Sequence, residues 1–378
     1  MDRSAASCAG LILPGGGARG AYQVGVMTAI AEFNSSGRNP FPVIIGTSVG
    51  AINATFLASH ARSFNTGVEK LAQLWLNLHS FDVFRVDFPT IAGYGLRWML
   101  SLTFGGLGVA NPKSFLDNAP LESLLRRELQ FPLIQEAIDT GQLRAVGVSA
   151  SSYTQGSAVT FIQCADDISD WQRARRESRR CRLDVDHVLA SLALPFMFAA
   201  RRLGSEFFGD GSLRQTAPLS PAIHLGADRI LVIGSRDLKR DVAPPNDAEI
   251  EYPNLGGLAG YLLDLIFMDN VDNDIERLRR INRTLSLLGA AGRQHSELRP
   301  IEIMTIEPSR DLRPIAGRHA HEVPWTIRML MRGIGAWDSE WRLPSYLLFE
   351  PPYIKELIEL GHSDAMARRG RLTDLLQL

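Results

Sequence analysis

Residues 11–26 read LILPGGGARGAYQVGV, an apolar run that enters a glycine-rich turn and leaves it as a helix-like segment. Gly15, Gly17 and Gly20 match the G-x-G-x-x-G pattern that opens dinucleotide-binding β-α-β units. The bare N–H groups of such a turn can also hold other anions, including one that exists only during a reaction. The spacing alone leaves open which anion this turn binds.

A second glycine motif follows the next apolar run. Residues 44–54 read IIGTSVGAINA and contain G-x-S-x-G from Gly46 to Gly50. A strand, a tight turn and a helix form the context that a nucleophile elbow requires. The pattern predicts that Ser48 stands exposed at the carboxyl edge of the sheet, and the alternative is a glycine-bounded turn with a capping serine.

The second motif changes the interpretation of the first. A dinucleotide-binding unit needs an acidic residue at the end of the second strand to hold a ribose hydroxyl. Here that strand ends in Gly46, Thr47 and Ser48, without a carboxylate. Because both turns end consecutive strands, they can face each other. This favours the stretch from Gly15 to Ala18 as a set of oxyanion donors, with Gly20 allowing close helix–strand packing.

Short apolar runs alternate with helical patterns along the first two thirds of the chain. The strand candidates are residues 9–13, 42–46, 143–150, 158–163, 229–234 and 301–306, and the clearest helix candidates are 21–33, 68–78, 120–130 and 186–194. Buried-looking strands that alternate with helices are typical of parallel β-α-β units. We therefore predict a layered α/β/α fold around a central, mostly parallel sheet.

The composition changes after Arg236. Residues 239–247 read KRDVAPPND, a polar, proline-containing connector, and residues 255–288 have long helical spacing that breaks near Asp269 and Asn270. We expect a catalytic domain over residues 8–236 and a mainly helical extension over residues 237–378 that packs on it.

The bulk properties exclude several classes of protein. The 378 residues have a net charge of -1, which provides no global attraction to nucleic acid. The three cysteines are far apart, against a disulfide framework or a zinc knuckle. The N-terminal apolar run is too short for a membrane span and poorly formed for a signal peptide, so we expect a cytoplasmic protein.

Residues 173–182, RARRESRRCR, either dock on anionic lipid in peripheral contact with a membrane or form a solvated basic helix or loop.

A nucleophilic serine needs a base, and two candidates remain open. None of the eight histidines sits in a glycine-flanked loop at a strand end, and His362 is the best of them for a Ser-acid-His triad. Residues 206–212 read EFFGDGS, an aromatic strand that breaks at Asp210 and Gly211. Asp210 is either a base for proton transfer or a turn aspartate that binds local N–H groups.

Several ordered motifs resemble the patatin-like phospholipases and lipid acyl hydrolases. The matching stretches are residues 14–20 (PGGGARG), 46–51 (GTSVGA), 190–198 (ASLALPFMF), 210–212 (DGS), 217–218 (AP) and 225–232 (LGADRILV). The resemblance covers about residues 10–234 and departs from the usual pattern at Ser212, where the family has glycine or alanine. It implies a Ser48–Asp210 dyad without histidine, an oxyanion turn from Gly15 through Gly16 and Gly17 to Ala18, and a lipid acyl-ester substrate.

Acyl transfer through an acyl-serine follows from that resemblance, and it requires no cofactor and no metal. Arg19 either meets a lipid phosphate or forms an ion pair at the start of the helix. Two other functions stay open: an acyltransferase that uses the same dyad, and a non-catalytic module that binds a nucleotide or a lipid.

Residues 84–109, FRVDFPTIAGYGLRWMLSLTFGGLGV, combine an apolar cluster around Trp98 with five glycines. The stretch is too interrupted for a membrane span. It predicts either a mobile flap over the acyl site or an ordinary buried helix.

Overall fold

The computed structural model describes residues 7–104, 113–237, 252, 254–288, 296, 298–337 and 340–378. Ten strands form one sheet: β1 (Ala9–Leu13), β2 (Val43–Thr47), β3 (Ala145–Ser152), β4 (Ser157–Cys164), β5 (Gln172–Arg173), β6 (Arg176–Arg180), β7 (Arg201–Leu203), β8 (Glu206–Asp210), β9 (Arg229–Ile233) and β10 (Glu302–Ile306).

The central strands run parallel in the order β10-β9-β1-β2-β3, and β4, β6 and β5 extend the sheet beyond β3. The ladder β3–β4 is antiparallel, and so are the ladders β3–β8 and β7–β8. Every residue of β1, β2 and β9 is buried, as expected for apolar strands covered on both faces. The predicted layered α/β fold with a mostly parallel central sheet is confirmed.

Helices cover both faces of the sheet. Those before the polar connector are α1 (Gly20–Phe33), α2 (Val49–Ser59), α3 (Phe64–Leu76), α4 (Ser80–Val83), α5 (Phe88–Phe104), α6 (Ala119–Glu128), α7 (Phe131–Asp139), α8 (Val185–Leu192) and α9 (Ser220–His224). Those after it are α10 (Leu255–Asp264), α11 (Asn270–Leu287) and the helices Leu312–Arg318, Trp325–Gly333, Pro344–Leu347, Pro351–Met366 and Arg369–Leu376. None of the described helices combines the length and the apolar composition needed to cross a membrane.

Most of the arginine-rich run has strand conformation, and it is not the basic helix or loop that we considered. It forms β5 and β6 at the edge of the sheet. Arg179 pairs with Glu177 and with Glu206, whereas Arg180 donates to the Ile168 carbonyl. Carboxylate and carbonyl partners therefore hold these two arginines.

The C-terminal helices lie directly against the predicted catalytic domain. The helix Pro351–Met366 packs on α1, where a Cβ atom at Gly25 would overlap the Ile358 carbonyl and one at Gly361 would overlap the Tyr22 carbonyl. The predicted break near Asp269 is a π-helical segment, Leu265–Asp269, between α10 and α11. The polar connector at residues 239–247 lies outside the described residues, and the division into two domains stays a prediction.

Candidate active site

Ser48 occupies the sharp turn between β2 and α2. Its backbone has φ 53° and ψ −128°, a strained conformation for a residue with a side chain. The turn leaves no space for a Cβ atom at Gly46, which would overlap the Gly50 carbonyl, or at Gly50, which would overlap the Leu13 carbonyl. The two glycines therefore let the strand and the helix approach closely enough to place Ser48 at the carboxyl edge of the sheet. The prediction that Ser48 stands exposed is wrong: the residue is only 6% exposed, because the side chains that line the cavity surround it.

Ser191 fixes this turn from the neighbouring helix α8. The Ser48 N–H donates to Ser191 Oγ at 2.8 Å, and the Ser191 hydroxyl donates to the Ser149 carbonyl on β3 at 2.6 Å. Ser191 is fully buried. No role was predicted for Ser191, although a serine between Ala190 and Leu192 in a helical pattern was the available signal.

Asp210 is the last residue of β8 and is fully buried. Its backbone N–H donates to the Ala193 carbonyl at 2.9 Å, and its Oδ1 accepts from the Ser212 N–H at 2.9 Å. A Cβ atom at Gly211 would overlap the Ser149 carbonyl, so only glycine lets the chain turn away so tightly. These contacts fix the carboxyl group beside the elbow.

Opposing influences set the pKa of Asp210. Burial raises it to about 6, while the Ser48 hydroxyl and the Ser212 N–H each lower it. Among the described residues, Oδ2 has no well-aligned hydrogen-bond partner. The Ser48 hydroxyl therefore lies next to the carboxyl and affects its pKa, without a well-aligned hydrogen bond to Oδ2.

The glycine-rich turn contributes to the same cavity as Ser48. Gly17 has φ 54°, in the left-handed region, and it lines one cavity together with Ser48. Ser235 Oγ, in the segment that follows β9, donates to the Gly15 carbonyl at 2.9 Å and holds the turn. At Gly20 a Cβ atom would come within 2.8 Å of Val49 Cγ1, so this glycine allows α1 to approach α2.

An apolar cavity begins at Ser48 and Gly17. Its volume is about 80 Å³. Its walls come from α2, α3, α4, α6, the segment after α8 and the C-terminal region: Val49, Ile52, Leu74, Trp75, Leu78, Val83, Leu121, Leu124, Leu125, Leu192, Leu194, Met197, Phe198, Leu263, Phe267, Tyr346, Leu347 and Phe349. The C-terminal region thus completes the cavity, which our sequence analysis did not anticipate.

Arg19 is engaged by the C-terminal region. The side chain is only 2% exposed; its Nη1 donates to Asp264 Oδ1 at 3.2 Å and to the Tyr346 hydroxyl at 2.9 Å, and its Nη2 donates to Ser345 Oγ at 2.6 Å. The guanidinium also lies 3.8 Å from the centroid of the Tyr346 ring. Arg19 therefore forms an ion pair within the protein, which is the second of the two roles considered for it. Its guanidinium does not line the cavity.

His362, the candidate base of a histidine triad, lies away from the cavity. His362 Nε2 is 2.8 Å from Glu32 Oε1, on the side of α1 where the helix Pro351–Met366 packs, and His362 does not line the cavity. Within the described ranges, no group of three or more His, Cys, Asp or Glu side chains is arranged to hold a metal ion.

Helix α5 lies on the surface, so the buried-helix interpretation of this stretch is wrong. Ile91 is its one buried side chain among those described, whereas Leu96 and Met99 are more than half exposed. Trp98 stacks on Phe115 at 4.6 Å, and the Phe115 N–H donates to the carbonyl of Phe196, next to the cavity wall. The flap interpretation stays a prediction, and residues 105–109 of the stretch lie outside the described residues.

Comparison with known families gives a match over more than half of the chain. The family model for patatin-like phospholipases matches residues 11–223, a range that contains Ser48 and Asp210. No curated protein matches the sequence significantly.

Three similar solved structures come from two bacterial proteins, VipD and ExoU. VipD from Legionella pneumophila is 13% identical with a TM-score of 0.37, over 99% of this chain and 67% of that one. The type III effector ExoU is 17% identical with a TM-score of 0.29, over 90% of this chain and 77% of that one. Full-length ExoU of Pseudomonas aeruginosa in complex with SpcU is 20% identical with a TM-score of 0.22, over 42% of this chain and 35% of that one.

Proposed function

Since this chain belongs to the patatin-like phospholipase family, we propose that it hydrolyses acyl esters of lipids, with Ser48 as nucleophile and Asp210 as base. The observation that carries the proposal is the meeting of three features at one point. A strained serine elbow, a fully buried carboxyl and a glycine turn with left-handed backbone converge where an apolar cavity begins.

The chemistry follows from these positions. Asp210 accepts the Ser48 proton while Oγ attacks the ester carbonyl, and the N–H groups of Gly16 and Gly17 stabilise the oxyanion. The N–H of Val49, at the first position of α2, has no partner within its own helix and adds a further donor. The alcohol takes the proton from Asp210 and leaves. Water then attacks the acyl-serine, losing its proton to Asp210, and the fatty acid departs as Ser48 regains a proton.

The cavity supplies the substrate class. Its wall is almost entirely aliphatic and aromatic beyond Ser48. Burial of methylene groups there is favourable by about 0.8 kcal/mol each. An acyl chain whose carbonyl carbon sits at Ser48 therefore binds in this cavity.

A direct test is covalent labelling. A fluorophosphonate probe with an alkyl chain should add one adduct to the intact protein, and peptide mass spectrometry should place it on Ser48. An adduct only on another residue, or release of no fatty acid from phospholipid vesicles and p-nitrophenyl esters, would contradict the proposal.

The pKa of Asp210 predicts a pH dependence. The base must be ionised, and burial raises its pKa to about 6. We therefore expect kcat/KM on a soluble ester to be constant above this pH and to fall about tenfold per pH unit below it. The measurement is a pH profile with the fold monitored by circular dichroism at each pH. A rate that stays constant down to pH values near the ordinary aspartate pKa would contradict Asp210 as the base.

Trp98 provides a test of the flap. Trp98→Ser should lower activity on micellar or bilayer substrate far more than on a short soluble ester, because it removes the ring that packs α5 on Phe115. Trp98→Phe is the matched control, since it keeps an aromatic ring and loses the hydrogen bond to the Ser114 carbonyl. Equal losses on both substrates, with a lower melting temperature, would end the flap interpretation.

A further inference from the structure

We infer that three leucines, Leu74, Leu78 and Leu124, form a wall that sets the length of acyl chain this site accepts. The inference rests on the proposed function and specifies its substrate. It starts from a second cavity on the far side of these residues, which the proposed mechanism does not use.

Both cavities follow one face of α2. Ser48 and Ile52 line the apolar cavity, whereas Phe56 and His60 line the second one. Within α2, residues four apart lie on nearly the same face, so Ile52 and Phe56 lead from the apolar cavity at Ser48, which precedes the helix, toward the second cavity. A chain bound at Ser48 and extended along α2 therefore points toward the second cavity.

The two cavities differ in chemical character. The second is lined by Phe56, His60, Lys70, Gln73, Leu74, Asn77, Leu78, Asp82, Leu124, Arg127, Glu128 and Gln130. Most of these side chains are charged or polar, whereas the apolar cavity has mainly aliphatic and aromatic ones. Leu74, Leu78 and Leu124 are the lining residues that both cavities share, and they separate the apolar space from the polar one.

This arrangement limits how much binding free energy a longer acyl chain can gain. Each methylene that remains inside the apolar cavity improves binding about fourfold. A methylene that reaches Leu124 must either displace the wall or enter a pocket lined by Lys70, Asp82 and Arg127. Neither brings the free-energy gain of further apolar burial.

The helix provides the scale. From Ser48 to Phe56 is eight residues, which at a rise of 1.5 Å per residue is about 12 Å. An extended chain advances about 1.2 Å per bond, since a residue of three backbone bonds spans about 3.5 Å. Because Phe56 lies on the far side of the wall, the wall is at most about ten carbons from the ester carbonyl, and we expect decanoyl chains to be the longest that gain fully from the cavity.

The test is a series of p-nitrophenyl esters from butyrate to hexadecanoate, below their critical micelle concentrations. For the wild-type protein, kcat/KM should rise about fourfold per methylene up to roughly decanoate and then level off or fall. Leu124→Ala opens the wall, so the tetradecanoate-to-decanoate ratio of kcat/KM should rise by about tenfold or more.

Leu121→Ala is the matched control. Leu121 lies on the same helix, is similarly buried and lines the apolar cavity alone. The substitution removes the same atoms without connecting the two cavities, so the tetradecanoate-to-decanoate ratio should stay within about threefold of the wild-type value. Equal shifts in both variants, or a wild-type preference that rises unbroken to hexadecanoate, would overturn the wall.

A binding measurement separates this inference from the proposed reaction. Saturated fatty acids of the same lengths should raise the melting temperature of Ser48→Ala increasingly up to about decanoate, and Leu124→Ala in that background should extend the rise. If fatty acids show this break while no ester is hydrolysed, the wall is supported and the proposed function fails. If esters are hydrolysed and neither measurement shows a break, the wall is wrong and the proposed function stands.

Discussion

Ser48→Ala should reduce ester hydrolysis by about 10⁵-fold or more while the protein stays folded. The substitution removes a single oxygen, and the strained backbone of the elbow accepts alanine as readily as serine. The main-chain hydrogen bond to Ser191 is kept, because the Ser48 N–H is the donor. We expect fatty-acid release and fluorophosphonate labelling to disappear together, with a melting temperature close to that of the wild-type protein.

Ser191→Ala is a useful comparison for that variant. It leaves the Ser48 hydroxyl in place but removes the acceptor of the Ser48 N–H, which costs about 1–3 kcal/mol of stability. A lower melting temperature with labelling still present would separate support of the elbow from the chemistry itself. Hydrolysis by Ser48→Ala at the wild-type rate would contradict the assignment of the nucleophile.

Asp210→Asn should be nearly as inactive, with a loss of at least about 10³-fold, because the serine and its base act as one unit. Asparagine has almost the same shape, and its Oδ1 can still accept from the Ser212 N–H. It cannot take the proton of Ser48. The measurement is kcat/KM on a soluble ester, with His362→Ala as the control that we expect to remain active, since His362 is paired with Glu32.

The same substitution should not lower stability at neutral pH. The folded protein holds the proton of Asp210 more tightly than the unfolded chain, because burial raises the pKa from its ordinary value of 3.8 to about 6. Ionisation therefore costs stability as the pH rises through this interval, up to about 3 kcal/mol above it. Relative to the wild-type protein, Asp210→Asn should gain stability as the pH rises from 4 to 6 and keep a constant difference above that.

In the activity measurements, an inactive His362→Ala beside an active Asp210→Asn would support a histidine triad instead.

Most strands could be predicted because each is an apolar run bounded by turn residues. The run at residues 9–13 matches β1, and the run at residues 42–46 matches β2 within one residue at each end. The strands β5 and β6 could not be predicted, because all their residues are polar or charged. They form strands because β6 pairs with β4, and β5 then pairs with β6. Their strand conformation depends on β4, which no local pattern in residues 172–180 reveals.

Ser48 could be predicted from local sequence because G-x-S-x-G describes a backbone requirement. A carbonyl lies where a Cβ atom would stand at each of the two glycines, so their pattern in the chain reflects the tight turn directly. For Asp210 the sequence left a base and a turn residue equally open, and the resemblance to a family made the choice. No spacing rule connects Ser48, which directly follows β2, with Asp210 at the end of β8; the two meet only because both strands pair with β3.

The order of the central strands and their main helices, the two glycine turns and the elbow serine follow from the sequence alone, since each depends on residues that are neighbours along the chain. The partners of Arg19, the contacts of Ser191 and the raised pKa of Asp210 emerge only in the folded protein. Folding also brings Phe267 and Tyr346 from the C-terminal region to the wall of the cavity. Burial, ion pairing and the shape of a cavity depend on groups that are hundreds of residues apart, and they arise only when the sheet and its helices pack together.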